Sequence, residues 1–433
     1  MSKPVVSVVA YNDAYKSLKK ALELCDGLAD LNKKDKILLK PNLVFWSYEL
    51  PFPPYGVVTT SSVMFALVKI LYEEGFRNLT IGEAPLMIPK TIGRKMFKTL
   101  GYEKLQEMYG VELVDFNEDK FEEVDYGHFK LSVAKKALES DKIVNLPVLK
   151  THNQCKVSLG IKNLKGCLNR NSKQFCHGKD MELDHMFPHI IEKLPVALTI
   201  IDGVFTLAKG PGPTGNAKRK SLLIASRNYL ACDVVGAEIM GHKAGEVEHL
   251  AYHAKRHGLS TNLADIEVRG EDVQKNIAYV ESDFEWDEEN TGPVGFKKRG
   301  ITGLAIRKYD SSLCTGCSTM YNPMLIMFMS AFKGKPFPNM ELISGKRQEP
   351  TPGFDYTVLF GKCPYALNKD HPNIKNAIDI KGCPPTMDKL DEALKEIGVI
   401  CDYNEYINYR HYIYNRYKKE DGFDMGLFSA QSS

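Results

Sequence analysis

At 433 residues the chain is too long for one ordinary hydrophobic core, so two or three domains are expected. Its 57 basic residues nearly balance 54 acidic ones, and a net charge of +3 argues against a dedicated nucleic-acid binder. No apolar run reaches the roughly eighteen residues of a membrane span; the longest, Pro323 to Phe332, reads as a buried helix, so no membrane partner is expected.

The opening Met1-Ser2-Lys3-Pro4 lacks the apolar stretch of a signal peptide, which predicts a cytoplasmic protein. Ten cysteines there read as thiols and metal ligands rather than disulfides. In chain order, the β-branched run from Pro4 to Ala10 predicts a strand, and Leu18, Ala21, Leu22 and Cys25 share one face of a helix over 14–28. A strand at Lys36–Leu39 runs into Lys40-Pro41-Asn42, followed by a proline-rich loop over 49–55. Thr59 to Ser62 cap a helix carrying Val63, Ala66, Leu67 and Ile70. Strands at Leu79–Pro85 and Val111–Phe116 flank a basic helical region over 90–108. This alternation predicts an α/β fold: a mostly parallel sheet with helices on both faces. In such sheets ligands bind outside the carboxyl ends of the strands, where Lys40, Asn42 and Glu83 fall.

A strand over 140–146 opens the basic segment 147–180. Residues 150 to 179 hold seven lysines or arginines and no acid. Glycines among lysines suggest a loop whose backbone N–H groups and cations meet an anion. The alternative is a solvated basic loop, which has no need of His152 or Asn163. Lys150, Lys162 and Lys165, with Asn163, are therefore candidates to hold a carboxylate or phosphate. His152, Lys162 and Glu83 are candidates to exchange protons.

Further on, His185 and His189 lie four apart, as on one helical face, and read as a packing pair before a metal site. Leu198 to Gly203 predicts a strand ending at Asp202, and Gly210 to Gly215 a stiff loop without P-loop spacing. A strand over 221–225 precedes a helix from Leu230, with Asp233 near its start, where the helix dipole favours an acid.

Five acids among residues 282–290 mark a linker, which places a boundary near residue 300 between an α/β domain (1–300) and a smaller C-terminal α/β domain (301–433). There Cys314 and Cys317 stand two residues apart, and Cys363 and Cys383 are each followed by proline. Two thiolates from one turn and two from later loops can close a metal shell. The expectation is a four-cysteine iron–sulfur site of the [4Fe–4S] type, with tetrahedral zinc as the alternative. Cys155, Cys167 and Cys176 are expected to be non-ligands, and Cys401 a spare. The tail over 403–417, rich in tyrosine and arginine, suggests docking on the body or on a redox partner protein.

The runs Leu39-Lys-Pro-Asn42, Gly56 to Thr60, Gly82 to Pro85, Leu146 to His152, Gly160 to Gly166, Asp202-Gly203 and Gly210 to Pro213 resemble domain-of-unknown-function family 362. The resemblance implies an iron–sulfur-associated protein of anaerobic bacteria or archaea, although these cysteines are not the compact ferredoxin run. The expected function is a redox enzyme or electron-transfer protein acting on a small anionic substrate. His152 with Gly160 to Gly166 also resembles the His and Gly-x-Lys segment of the nickel-pincer lactate racemase family. That likeness implies a non-redox isomerase or lyase with a structural metal. A non-catalytic cluster carrier is the third reading.

Overall fold

In the computed structural model, residues 3–44, 46, 52–86, 92–212 and 214–429 are described. Parts of the proline-rich loop and the start of the basic helical region lie outside them, as does Pro213. The chain divides into two units: residues 1–173, 184–283 and 416–433 form one, and 174–183 with 284–415 the other. The second unit thus begins at Phe284 rather than near 300, because Trp286 and Phe296 pack into its core.

The first unit contains β1 (Val5–Ala10), β2 (Ile37–Pro41), β3 (Leu79–Glu83), β4 (Glu112–Asp115), the hairpin β5 (Phe121–Asp125) and β6 (Lys130–Ala134), β7 (Lys142–Leu146), β8 (Val148–His152), β9 (Lys156–Ser158), β10 (Val196–Ala208), β11 (Asn216–Ser226) and β12 (Glu267–Gly270). The large sheet runs β12-β1-β11-β10-β7-β2-β3-β4, with β8 and β9 branching from β10. Pairing is parallel from β10 through β4, and antiparallel where β11 meets β10 and β1. This is the predicted mostly parallel α/β architecture. In β2, Ile37 and Leu39 join a core with Leu18 and Leu67, while Leu38 between them is equally buried on the opposite face. A strand covered on both sides reads as a continuous apolar run, which is why β2 was visible in the sequence.

The helix Ala14–Leu24 starts at Asp13, whose carboxylate accepts from the Lys16 N–H, and stops at Cys25, short of the predicted residue 28. The strand predicted to end at Gly203 continues to Ala208. Gly203 marks an irregularity in the pairing with β11, not a turn, and a Cβ there would lie 2.8 Å from the Leu222 carbonyl oxygen. The helix holding His185 ends at Met186, and Phe187–Lys193 continues as 3₁₀ helix with Pro188 in its first turn. His185 and His189 are therefore not stacked as an i, i+4 pair on one α-helix.

The second unit is a four-stranded parallel sheet in sequential order: β13 (Leu304–Ile306), β14 (Met340–Ile343), β15 (Tyr356–Phe360) and β16 (Asn376–Ile380). The helix Thr315–Ala331 buries Tyr321, Met324, Met327 and Phe328 against it, and Met387–Lys395 adds Leu390 and Leu394.

Candidate functional site

In the first unit β2 lies between β3 and β7, so the chain leaves it to one side and later returns on the other. That reversal falls at the carboxyl ends of β2 and β7, the position where doubly wound sheets bind ligands. Lys40 pairs with Asn145 across this point. Lys40 Nζ makes a very short contact with Glu83 Oε2 and donates to the Pro41 carbonyl at 2.8 Å; its side chain is wholly buried. The Ala84 N–H donates to Glu83 Oε1 at 2.9 Å, so this carboxylate serves two elements. Breaking such a buried pair costs about 3–5 kcal/mol.

Of the lysines expected on a basic loop, Lys150 is instead held inside the unit. Lys150 lies on β8 and is fully buried, donating to Asn42 Oδ1 (2.8 Å) and the Val57 carbonyl (2.7 Å). Asn42 Nδ2 donates to Asn163 Oδ1 (3.0 Å), and Asn163 Nδ2 to Asn145 Oδ1 (2.8 Å). This amide chain ties β2, β7 and β8 to the short helix Gly160–Asn163. Asp233, buried in the helix Tyr229–Ile239, accepts from the N–H groups of Gly160 (2.7 Å) and Ile161 (2.8 Å) and fixes that turn. Burial pushes Asp233 up to about 7 although both amides favour its ionised form. At Gly166 a Cβ would sit 2.0 Å from Glu83 Oε1 and 2.6 Å from Lys40 Nζ, so only glycine allows the chain this close to the ion pair.

Lysines accumulate here beyond the acids available to them. Burial lowers Lys150 to about 7, with Lys162 adding to the fall; burial lowers Lys162 to about 8, and Lys173 likewise to about 8. Lys165 faces both Lys162 and Lys173, and Lys40 faces Lys173. Glu83 and Asp184 are the acids that oppose them. Such an environment favours an anionic guest, which restores each ammonium its charge. His152 stands two residues beyond Lys150, on the same face of β8, and its Nδ1 accepts from the Gln154 N–H at 3.1 Å. Lys40, Asn42, Glu83, Lys150, Lys162, Asn163 and Lys165 are thus one linked set. Asn145, Lys173 and Asp233 join it unforeseen.

In the second unit the parallel pairing sends every strand's exit to the same edge. Beyond β13 come Cys314, preceding the helix Thr315–Ala331, and Cys317 in its first turn. Beyond β15 comes Cys363, in the helix Lys362–Asn368; beyond β16 comes Cys383. Lys346, beyond β14, acts on both Cys314 and Cys363. Cys317 feels the charges of Cys314, Cys363 and Cys383, and Cys363 those of Cys314 and Cys383. The Cys317 thiol hydrogen-bonds Cys314 and brings it down, with help from the Cys317 and Gly316 amides and Lys346, against burial; Cys317 is raised in return. Gly361, at φ 111°, lets the chain pass where a Cβ would touch Cys317 Sγ at 3.5 Å. Gln174 Nε2 donates to Cys383 Sγ at 3.7 Å. Four thiols, amides at a helix start and a lysine are a donor set that fits an anionic iron–sulfur cluster.

The other thiols have different surroundings. Cys401 is buried in the second unit's apolar core and pushed up to about 12 by burial. Cys155 and Cys167 are buried among lysines and acids; burial raises both, Cys167 to about 12. Cys176 is also buried, in the 174–183 segment.

Residues 37–238 match the family described as Domain of unknown function (DUF362). A thylakoid-associated protein of Synechocystis sp. is 28% identical over 258 residues, covering 58% of this chain and 77% of its own length. Among solved structures, the lactate racemase apoprotein from Thermoanaerobacterium thermosaccharolyticum aligns with a TM-score of 0.36 and 15% identity, over 56% of this chain and 58% of that one. No helix among the described residues is long and apolar enough to cross a membrane.

Proposed function

Residues 37–238 belong to the DUF362 family, and from that premise we propose an iron–sulfur protein of redox function whose family domain binds a small anionic substrate. One observation carries the reading: three exits of one parallel sheet deliver Cys314, Cys317, Cys363 and Cys383, and the fourth delivers Lys346. Those four thiolates would hold a [4Fe–4S] cluster, with Lys346 offsetting its negative charge. Bound there, the cluster supplies single-electron transfer, exchanged with a partner protein. Lys40, Lys150, Lys162 and Lys165, with Asn42 and Asn163, hold the substrate's carboxylate or phosphate. Lys162, His152 or Glu83 moves a proton. Ten free thiols suit a reducing, cytoplasmic setting.

Anoxic purification with iron, sulfide and zinc analysis tests the cluster. The expected result is brown protein with equal iron and acid-labile sulfide, a visible band that dithionite bleaches, and loss of that band in C363A. Colourless protein holding one zinc per chain overturns the redox reading and leaves a structural metal.

A further inference from the structure

We propose that Glu192, His253 and His257 form a metal site for a divalent ion of the zinc class, in the first unit and without any cysteine. One donor atom from each lies within 4.8 Å of the others. His253 and His257 are four apart on the helix Glu248–His257, so they share a face; their rings stand 4.4 Å apart, tilted by 43°. Glu192 reaches them from the 3₁₀ helix Phe187–Lys193. Two imidazoles and one carboxylate, with a position left open, are a ligand set that zinc accepts.

A plain surface ion-pair network accounts for part of this cluster. Glu192 Oε1 accepts from Arg256 Nε at 2.9 Å and meets His257 Nε2 at 3.0 Å, while Oε2 lies 3.4 Å from His189 Nδ1. It does not account for His253. That ring is 0% exposed; its Nε2 lies 3.2 Å from the Tyr229 hydroxyl, and its Nδ1 has no hydrogen-bond partner. An imidazole nitrogen sealed from water without a partner is uncommon, and a ligand is one of its standard explanations. The surroundings also suit a metal: Arg256 and His189 orient the carboxylate, Tyr252 contacts His189 Nε2 at 3.1 Å, and Tyr229 fixes the His253 ring. His257 and Glu192 are partly exposed, which leaves a way in. Arg256 opposes a cation, so affinity depends on its guanidinium staying on the outer lone pairs of Glu192.

Cobalt(II) titration of full-length, metal-stripped protein under anoxic conditions tests the site. Nitrogen–oxygen ligation gives cobalt d–d bands without the near-ultraviolet charge transfer of thiolate ligation, so this site and the four cysteines report separately. The expected result is one such nitrogen–oxygen cobalt per chain, displaced by zinc. Affinity should fall about tenfold or more in H257A and in E192Q, and stay unchanged in H128A. Zinc should raise the melting temperature of the parent and of H128A but not of H257A, whose metal-free melting curve controls for folding. Cobalt seen only with thiolate bands, or H257A binding like the parent, overturns the proposal.

Discussion

A lysine buried without an acid of its own is an unusual residue, and the first unit gathers several around one glutamate. Lys150 makes both its hydrogen bonds as a neutral amine, since two N–H groups suffice for Asn42 and Val57. It can therefore take up a third proton to answer a ligand's charge. With Lys150 near 7 and Lys162 and Lys173 near 8, an anion that needs them charged must recruit protons above those values. Each recruited proton makes log K fall by about one per pH unit. Sulfate, which keeps its charge over this range, should bind more weakly as pH rises from about 6 to 9. Calorimetry in two buffers should show proton uptake, and K162M should bind more weakly than K156M. For the anion-free protein the sign is opposite: the unfolded chain holds the protons longer, so stability rises with pH from about 7 towards 10.5 for Lys150. Sulfate affinity flat across the range would sink the assignment of these lysines.

At the scale of elements, what was legible is what periodicity records. The strand β1 is legible as a β-branched run, β2, β3 and β7 as short apolar runs, and Cys363 and Cys383 as thiols before prolines beyond strands. Where the sequence suggests an anion-binding loop over 147–180, the chain forms the hairpin of β8 and β9 and encloses Lys150. No local pattern encodes that enclosure; it depends on Asn42, which is 108 residues from Lys150 and 121 from Asn163 in the sequence. The His253-x-x-x-His257 spacing is legible in the sequence but was not singled out there. Asp233 shows the same limit: an acid near a helix start suggested dipole stabilisation, yet its carboxylate grips the backbone of another element. Asparagine there keeps one acceptor and turns an NH₂ towards the second amide. D233N should therefore lose about 1–3 kcal/mol in denaturant melts. It should also weaken sulfate binding, because Lys162 and Asn163 ride on the turn that Asp233 fixes. Full sulfate affinity in a destabilised D233N would separate the turn from the anion site.

Over the whole molecule the chain is threaded rather than strung: 174–183 belongs with the second unit, and 416–433 returns to the first. The 174–183 segment is bound there by specific bonds, with His177 Nδ1 2.7 Å from the Ser311 carbonyl and Arg347 donating to the carbonyls of Lys179 (2.7 Å) and Met181 (2.8 Å). Of the stretch 403–417 expected to dock on the body or a partner, 403–415 falls with the second unit; the segment from Arg416 onward closes the first unit's core. Tyr417 accepts from the Ala217 N–H at 2.8 Å, and Phe423 and Phe428 pack on Tyr55 at 4.8 and 5.5 Å between ring centroids. Phe428 is wholly buried, so F428A should cost about 3–5 kcal/mol. A fragment of residues 1–283 lacks all three rings and leaves Tyr55 and Phe205 uncovered. It should bind the dye ANS and aggregate, and a peptide of residues 416–433 added in trans should suppress both. The same peptide carrying F428A should fail, since the remaining rings cannot fill the space. If residues 1–283 melt as cooperatively as the full chain and ignore the peptide, the tail is an ornament on the first unit rather than part of its core.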